Sequence, residues 1–119
     1  MSQIKTILVV EDDQNIRDTL RDALELEGYK VLVAANGQEG LEKIRILPYP
    51  SLVLLDMMMP IMNGRDFLDA VLADHRLALI PVIIVSADLD AQKQIGARAY
   101  MKKPADLDLL IHWVAEFAN

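Results

Sequence analysis

Residues 51–64 read SLVLLDMMMPIMNG: an apolar run through Leu55, one carboxylate at Asp56, then a turn carrying Pro60 and Gly64. Leu52, Val53, Leu54 and Leu55 follow one another without a polar interruption, which suits a strand buried on both faces as in a parallel sheet. A carboxylate at the mouth of such a strand is costly to bury unless a cation or hydrogen-bond donors compensate it. The stretch therefore predicts a polar site above the end of this strand.

Outward from it, further strand-length apolar runs stand at residues 4–10, 30–34, 81–86 and 99–101. Between the runs, apolar residues recur at helical spacing: Ile16, Leu20, Ala23 and Leu24; Leu41 and Ile44; Phe67, Leu68, Val71 and Leu72; and Leu107, Leu110, Ile111, Val114 and Phe117. Spacings of three and four give each segment one buried stripe. The alternation of strand and helix predicts a doubly wound α/β domain, a five-stranded parallel sheet with helices on both faces. Gly28 is placed after the first helix, Asn36 and Gly37 before the second, Pro48 and Pro50 at its close, and Pro60 and Gly64 around the start of the third.

With 119 residues, 53% of them hydrophobic, the expectation is a single domain over residues 1–119 with nothing left for an output domain. No stretch approaches the roughly 20 apolar residues of a membrane span, and the N-terminal MSQIKTILVVEDD runs into acid rather than a cleavage site. Membrane insertion is not expected. The absence of cysteine excludes disulfides and thiolate metal sites and is consistent with the cytoplasm. A net charge of -6, with Lys and Arg scattered, argues against direct nucleic-acid binding.

Ligands of open parallel sheets sit beyond the carboxyl ends of the strands. The residues just past those ends are Glu11, Asp12 and Asp13, then Asp56, Ser86, and Lys102 or Lys103. Carboxylates gathered there repel one another, and a hard divalent cation with oxygen ligands, Mg2+ foremost, relieves that repulsion. A lysine and a hydroxyl facing the same point would bind an anion such as a phosphoryl group, with Asp56 as the nucleophile.

These residues carry a family resemblance. Over essentially its whole length the chain resembles the receiver domain of two-component response regulators. Glu11 and Asp12 in VVEDD match the acidic pair, Asp56 in LLDMMMPIMNG the phosphoacceptor, Ser86 in IIVSA the switch hydroxyl, and Lys103 in YMKKP the lysine. The resemblance implies a flavodoxin-like fold of the receiver type and transfer of a phosphoryl group to Asp56 from a histidine kinase or phosphotransfer protein. It also implies Mg2+ held by Asp12, Asp56 and the backbone carbonyl of Met58, with Glu11 acting through a metal-bound water. Lys103 would pair with Asp56 and then with a phosphoryl oxygen, Ser86 would move to another, and Tyr100 matches the aromatic residue that rotates with it. Such a domain modifies itself rather than turning over a substrate, and its state is read by an effector protein; a monomer or weak dimer is expected.

Plainer roles compete at several positions. Asp13 reads partly as a helix cap. Lys102 stands beside Lys103, and strand alternation points one of the two to solvent. His75 and His112 have no partner in sequence and read as surface or packing residues, and Trp113 as core or rim. Met57, Met58, Met59 and Met62 suit adaptable packing better than a soft-metal site. A haloacid-dehalogenase-like phosphatase would also use a strand-end Asp, but it wants a second Asp where Met58 stands. A degenerate receiver serving as an adaptor would have lost its acceptor or lysine.

The chain departs from the family between Ser86 and Tyr100, where it is about five residues short, more than one helical turn. A fourth helix there is expected to be shortened, unsettling the usual output surface. Ala105 replaces the usual aromatic residue. Met58 offers attacking water no hydrogen bond and Asp88 flanks the same path, so the acyl phosphate is expected to last minutes or more.

Overall fold

The computed structural model describes residues 4–87 and 96–118. Five strands, β1 (Thr6–Val10), β2 (Lys30–Ala34), β3 (Leu52–Leu55), β4 (Val82–Ser86) and β5 (Ala99–Lys102), form one sheet in the order β2-β1-β3-β4-β5. Every neighbouring pair is parallel. Among the described residues four helices, α1 (Gln14–Leu26), α2 (Gly37–Ile44), α3 (Gly64–Leu72) and α4 (Leu107–Phe117), cover it, with a 3-10 turn at Leu77–Leu79. The shortened helix expected before Tyr100 falls on residues 88–95, outside the described residues, and so does Asp88.

Side-chain alternation along the strands splits the core in two. Leu8, Val10, Val53, Leu55, Val82 and Ile84 face Ile44 of α2 and Phe67, Leu68 and Val71 of α3. Ile7, Val9, Leu52, Leu54, Ile83 and Val85 face Leu20 and Leu24 of α1 and Leu110 and Val114 of α4. Because both faces are covered, the central strands are apolar apart from Thr6 at the start of β1 and Ser86 at the end of β4, which explains their uninterrupted apolar runs.

Element ends follow local chemistry. β1 starts at Thr6 rather than residue 4, since Ile4 is 75% exposed and the ladder with β2 opens at Thr6 opposite Lys30. β4 starts after Pro81, which has no N–H to give but accepts the Val53 N–H at 3.0 Å. Each helix is capped by a side-chain oxygen: Asp13, Asn36, Asn63 and Asp106 accept from the backbone N–H of Ile16, Glu39, Asp66 and Leu109. Gly37 is thus the first residue of α2 rather than part of its lead-in, and α2 ends at Ile44 with Arg45 as its cap, before the prolines are reached.

From β1 the chain winds outward to β2, then returns across β1 to build β3, β4 and β5 on the other side. The reversal leaves a crevice beyond the carboxyl ends of β1 and β3, where doubly wound sheets bind ligands. Glu11 and Asp12 follow the first of these strands and Asp56 the second.

Candidate functional site

The sheet itself aims the crevice residues. Glu11 donates its N–H to Ala34 at 2.9 Å and Asp56 donates to Val10 at 3.0 Å, so both are held as one-residue continuations of their strands. Lys103 just past β5 donates its N–H to the Ser86 carbonyl at 2.9 Å, tying the ends of β4 and β5 together. Glu11, Asp56 and Ser86 are buried, at 3%, 4% and 0% exposure, while Asp12 is exposed.

The Lys103 ammonium lies 2.6 Å from Glu11 Oε1 and 3.4 Å from Asp56 Oδ2. Glu11 Oε2 also accepts the Asp13 N–H at 3.2 Å, and Asp56 Oδ1 accepts the Met58 N–H at 3.3 Å. Lys102 points to solvent. Burial pushes the Glu11 carboxyl up to about 7, with help from the Asp56 charge and against the hydrogen bonds from Lys103 and Asp13. For Lys103, burial works downward, yet the hydrogen bond to Glu11 and the charges of Asp56 and Glu11 outweigh it and hold the ammonium above its usual range.

One oxygen each from Glu11, Asp12 and Asp56 can be chosen so that all three lie within 4.8 Å of one another. An all-oxygen set of acids with one exposed member suits a hard cation that keeps part of its water, as Mg2+ does. Asp12 and Met58 line an adjoining cavity of about 420 Å3 with Met57, Met59, Pro60 and Asn63. The Met58 side chain is 65% exposed. Beyond it, the Met62 N–H closes a tight turn to the Pro60 carbonyl at 2.7 Å, with Ile61 at φ 67°, and the Met62 carbonyl accepts from Gly37 at 2.9 Å. The loop after Asp56 is thereby fastened to the start of α2.

Tyr100 is half-buried on β5 and packs at the edge of the α2 and α3 side of the core. Asp13 caps α1, so its side chain has a structural use of its own. His75 and His112 are exposed, and Trp113 packs at the rim of the α1 and α4 side. The residue missed by sequence reasoning is Arg17. Its Nη1 donates to the backbone carbonyls of Glu11 at 2.9 Å and Asp12 at 3.3 Å, while in sequence it reads only as a polar residue of an amphipathic helix.

A parallel sheet of this order with an acidic pair, an Asp and a Lys at its switch point defines a receiver-type domain of flavodoxin-like fold. The family model for the response regulator receiver domain matches residues 7–115, and the chain belongs to that family. Membership separates it from the haloacid-dehalogenase-like phosphatases. Response regulator RR06 of Streptococcus pneumoniae is 40% identical over 110 residues, 88% of this chain and 49% of that protein. Transcriptional regulatory protein CpxR of Escherichia coli is 36% identical over 100 residues, 82% of this chain and 42% of that protein. The chain thus spans about half the length of these curated relatives. A CheY-like receiver domain of Methanospirillum hungatei superposes with a TM-score of 0.84 at 32% identity, covering 98% of this chain and 94% of that one. Response regulator TrrA of Thermotoga maritima, solved in complex with Mg2+-BeF, gives 0.85 at 31% identity, covering 96% and 99%. Among the described residues no helix is long and apolar enough to cross a membrane.

Proposed function

We propose that this chain is a phosphoacceptor switch: an Asp56 oxygen attacks the phosphorus of a phosphohistidine on a histidine kinase or phosphotransfer protein. The new O–P bond forms as the N–P bond breaks, and the imidazole nitrogen leaves with its electron pair and is protonated from water. The observation that carries this reading is the Lys103 ammonium set between Glu11 and Asp56 at the switch point. Lys103 orients the Asp56 carboxylate before transfer and holds a phosphoryl oxygen after it. Ser86, closing β4 beside the end of β5, supplies a hydroxyl to a second phosphoryl oxygen, and Tyr100 responds to that movement. Glu11, Asp12, Asp56 and the Met58 carbonyl would hold Mg2+, which when bound offsets the negative charge of the acceptor and the incoming phosphoryl group. The product is an acyl phosphate on the chain itself, read by a protein effector, so the domain is a switch and not a turnover enzyme.

The test is intact-mass spectrometry after incubation with a small acyl phosphate. One phosphoryl adduct is expected with Mg2+ and none with chelator, and it should persist for minutes, because the exposed Met58 thioether does not orient attacking water. No adduct from that donor or from a phosphorylated phosphotransfer protein, in a chain that still binds Mg2+, would favour a pure adaptor.

Cation binding should depend on pH. With the Glu11 carboxyl near 7, that group is mostly ionised at pH 8 and mostly protonated at pH 6, and a proton there competes with the cation. Mg2+ affinity measured by calorimetry is therefore expected to fall about tenfold from pH 8 to pH 6. A flat profile would remove Glu11 from the cation site.

A further inference from the structure

We propose that Arg17 is a positioning residue for the Mg2+ site, an inference that rests on the phosphoacceptor reading. The segment from Glu11 to the α1 cap at Asp13 carries two of the three clustered acids, yet Asp12 is exposed. The Glu11 carboxylate is fixed from both sides, by Lys103 at 2.6 Å and by the Asp13 N–H at 3.2 Å. The backbone that presents Asp12 is held instead from α1, where Arg17 Nη1 bridges the carbonyls of Glu11 and Asp12 at 2.9 and 3.3 Å. A rigid planar guanidinium suits that bridge, and its position is set by the helix that Asp13 caps. Arg17 thus fastens the acidic loop to α1 and holds the Asp12 carboxylate within reach of Glu11 and Asp56.

Two effects of replacing it oppose each other. Removing a positive charge near the acids favours cation binding, whereas freeing the loop disfavours it. The charge acts across solvent-exposed space and is screened; the hydrogen bonds act on the loop directly. Partners that orient metal ligands typically change affinity tenfold or more when lost.

Calorimetric titration of Mg2+ into the full chain, Arg17→Gln and Arg17→Lys separates the two. Positioning predicts a Kd about tenfold higher in Arg17→Gln and only partial recovery in Arg17→Lys, which keeps the charge. Labelling by acyl phosphate should then need more Mg2+ for half-saturation while climbing towards the wild-type plateau. Unchanged or tighter binding in Arg17→Gln, or full recovery in Arg17→Lys, would overturn the inference and leave the phosphoacceptor reading standing. A wild-type chain that neither binds Mg2+ nor takes a phosphoryl group would overturn both.

Discussion

An Asp56→Asn variant is expected to take up no phosphoryl group from any donor and, in chelator, to be more stable than the wild-type chain. Loss of the adduct follows from the proposed phosphoacceptor role of Asp56, whose carboxylate the variant replaces by an amide of almost the same shape. The gain in stability follows from the charges around it. Glu11 and Asp56 are both buried and share one ammonium, which sits closer to Glu11, at 2.6 Å against 3.4 Å. Burial, then Asp56, raises the Glu11 carboxyl from 4.5 to about 7. Native Glu11 therefore holds its proton more tightly than the unfolded chain does, and its contribution to the stability of the cation-free protein is lost as pH rises from about 4.5 to about 7. Asparagine removes the share due to Asp56, keeps an oxygen for the Met58 N–H and leaves Lys103 on Glu11. The expected direction is a higher Tm in chelator, and the gain should shrink or reverse when Mg2+ stabilises the wild type by binding. Paired thermal melts in chelator and in Mg2+ decide this. A variant less stable than wild type in chelator would show that Asp56 is held by attraction to Lys103 more than it is repelled by Glu11.

Much of this arrangement was legible because the central strands are buried on both faces. Continuous runs such as LVLL at residues 52–55 have few other uses, and the residue after each run must lie at the carboxyl edge of the sheet. Alternation sends only one of Lys102 and Lys103 inward, and Lys103 was preferred because it stands directly before Pro104, where the family resemblance puts the lysine. What was hidden depends on contacts between segments far apart in sequence. Gly40 in the middle of α2 looks like a weak helix residue, yet a Cβ there would meet Phe67 of α3 at 2.8 Å, so the glycine permits two helices to approach. Leu77 is buried in a 3-10 turn too short to leave a periodic signal. Arg17 was invisible for a different reason: it serves backbone carbonyls, which carry no sequence identity of their own.

Gly64→Ala is expected to be the most damaging single methyl addition at the site, costing about 3 kcal/mol or more and lowering Tm by about 10 °C. A Cβ at this position would lie 2.4 Å from the Asp56 carbonyl oxygen and 2.7 Å from Met57 Cα. Both are backbone atoms, and the backbone cannot retreat, because Asp56 is bound to Val10 through its N–H and Gly64 donates to the Met57 carbonyl at 3.1 Å. Relief must come from shifting the acceptor or the start of α3, and a misplacement of about 1 Å at a reacting group can cost as much as a hundredfold in rate. Labelling of Asp56 should therefore fall at least tenfold even under conditions where the variant remains folded. Gly28→Ala is the fitting comparison. Gly28 has φ 93° but nothing within 4 Å of the added carbon, so its penalty is conformational alone, about 1 kcal/mol. Equal losses in the two variants, measured by chemical denaturation, would mean that the loop after Asp56 yields to the methyl group; a loss at Gly64 two or more times larger, accompanied by slower labelling, would mean that close approach of α3 to the acceptor's own backbone sets where the carboxylate points.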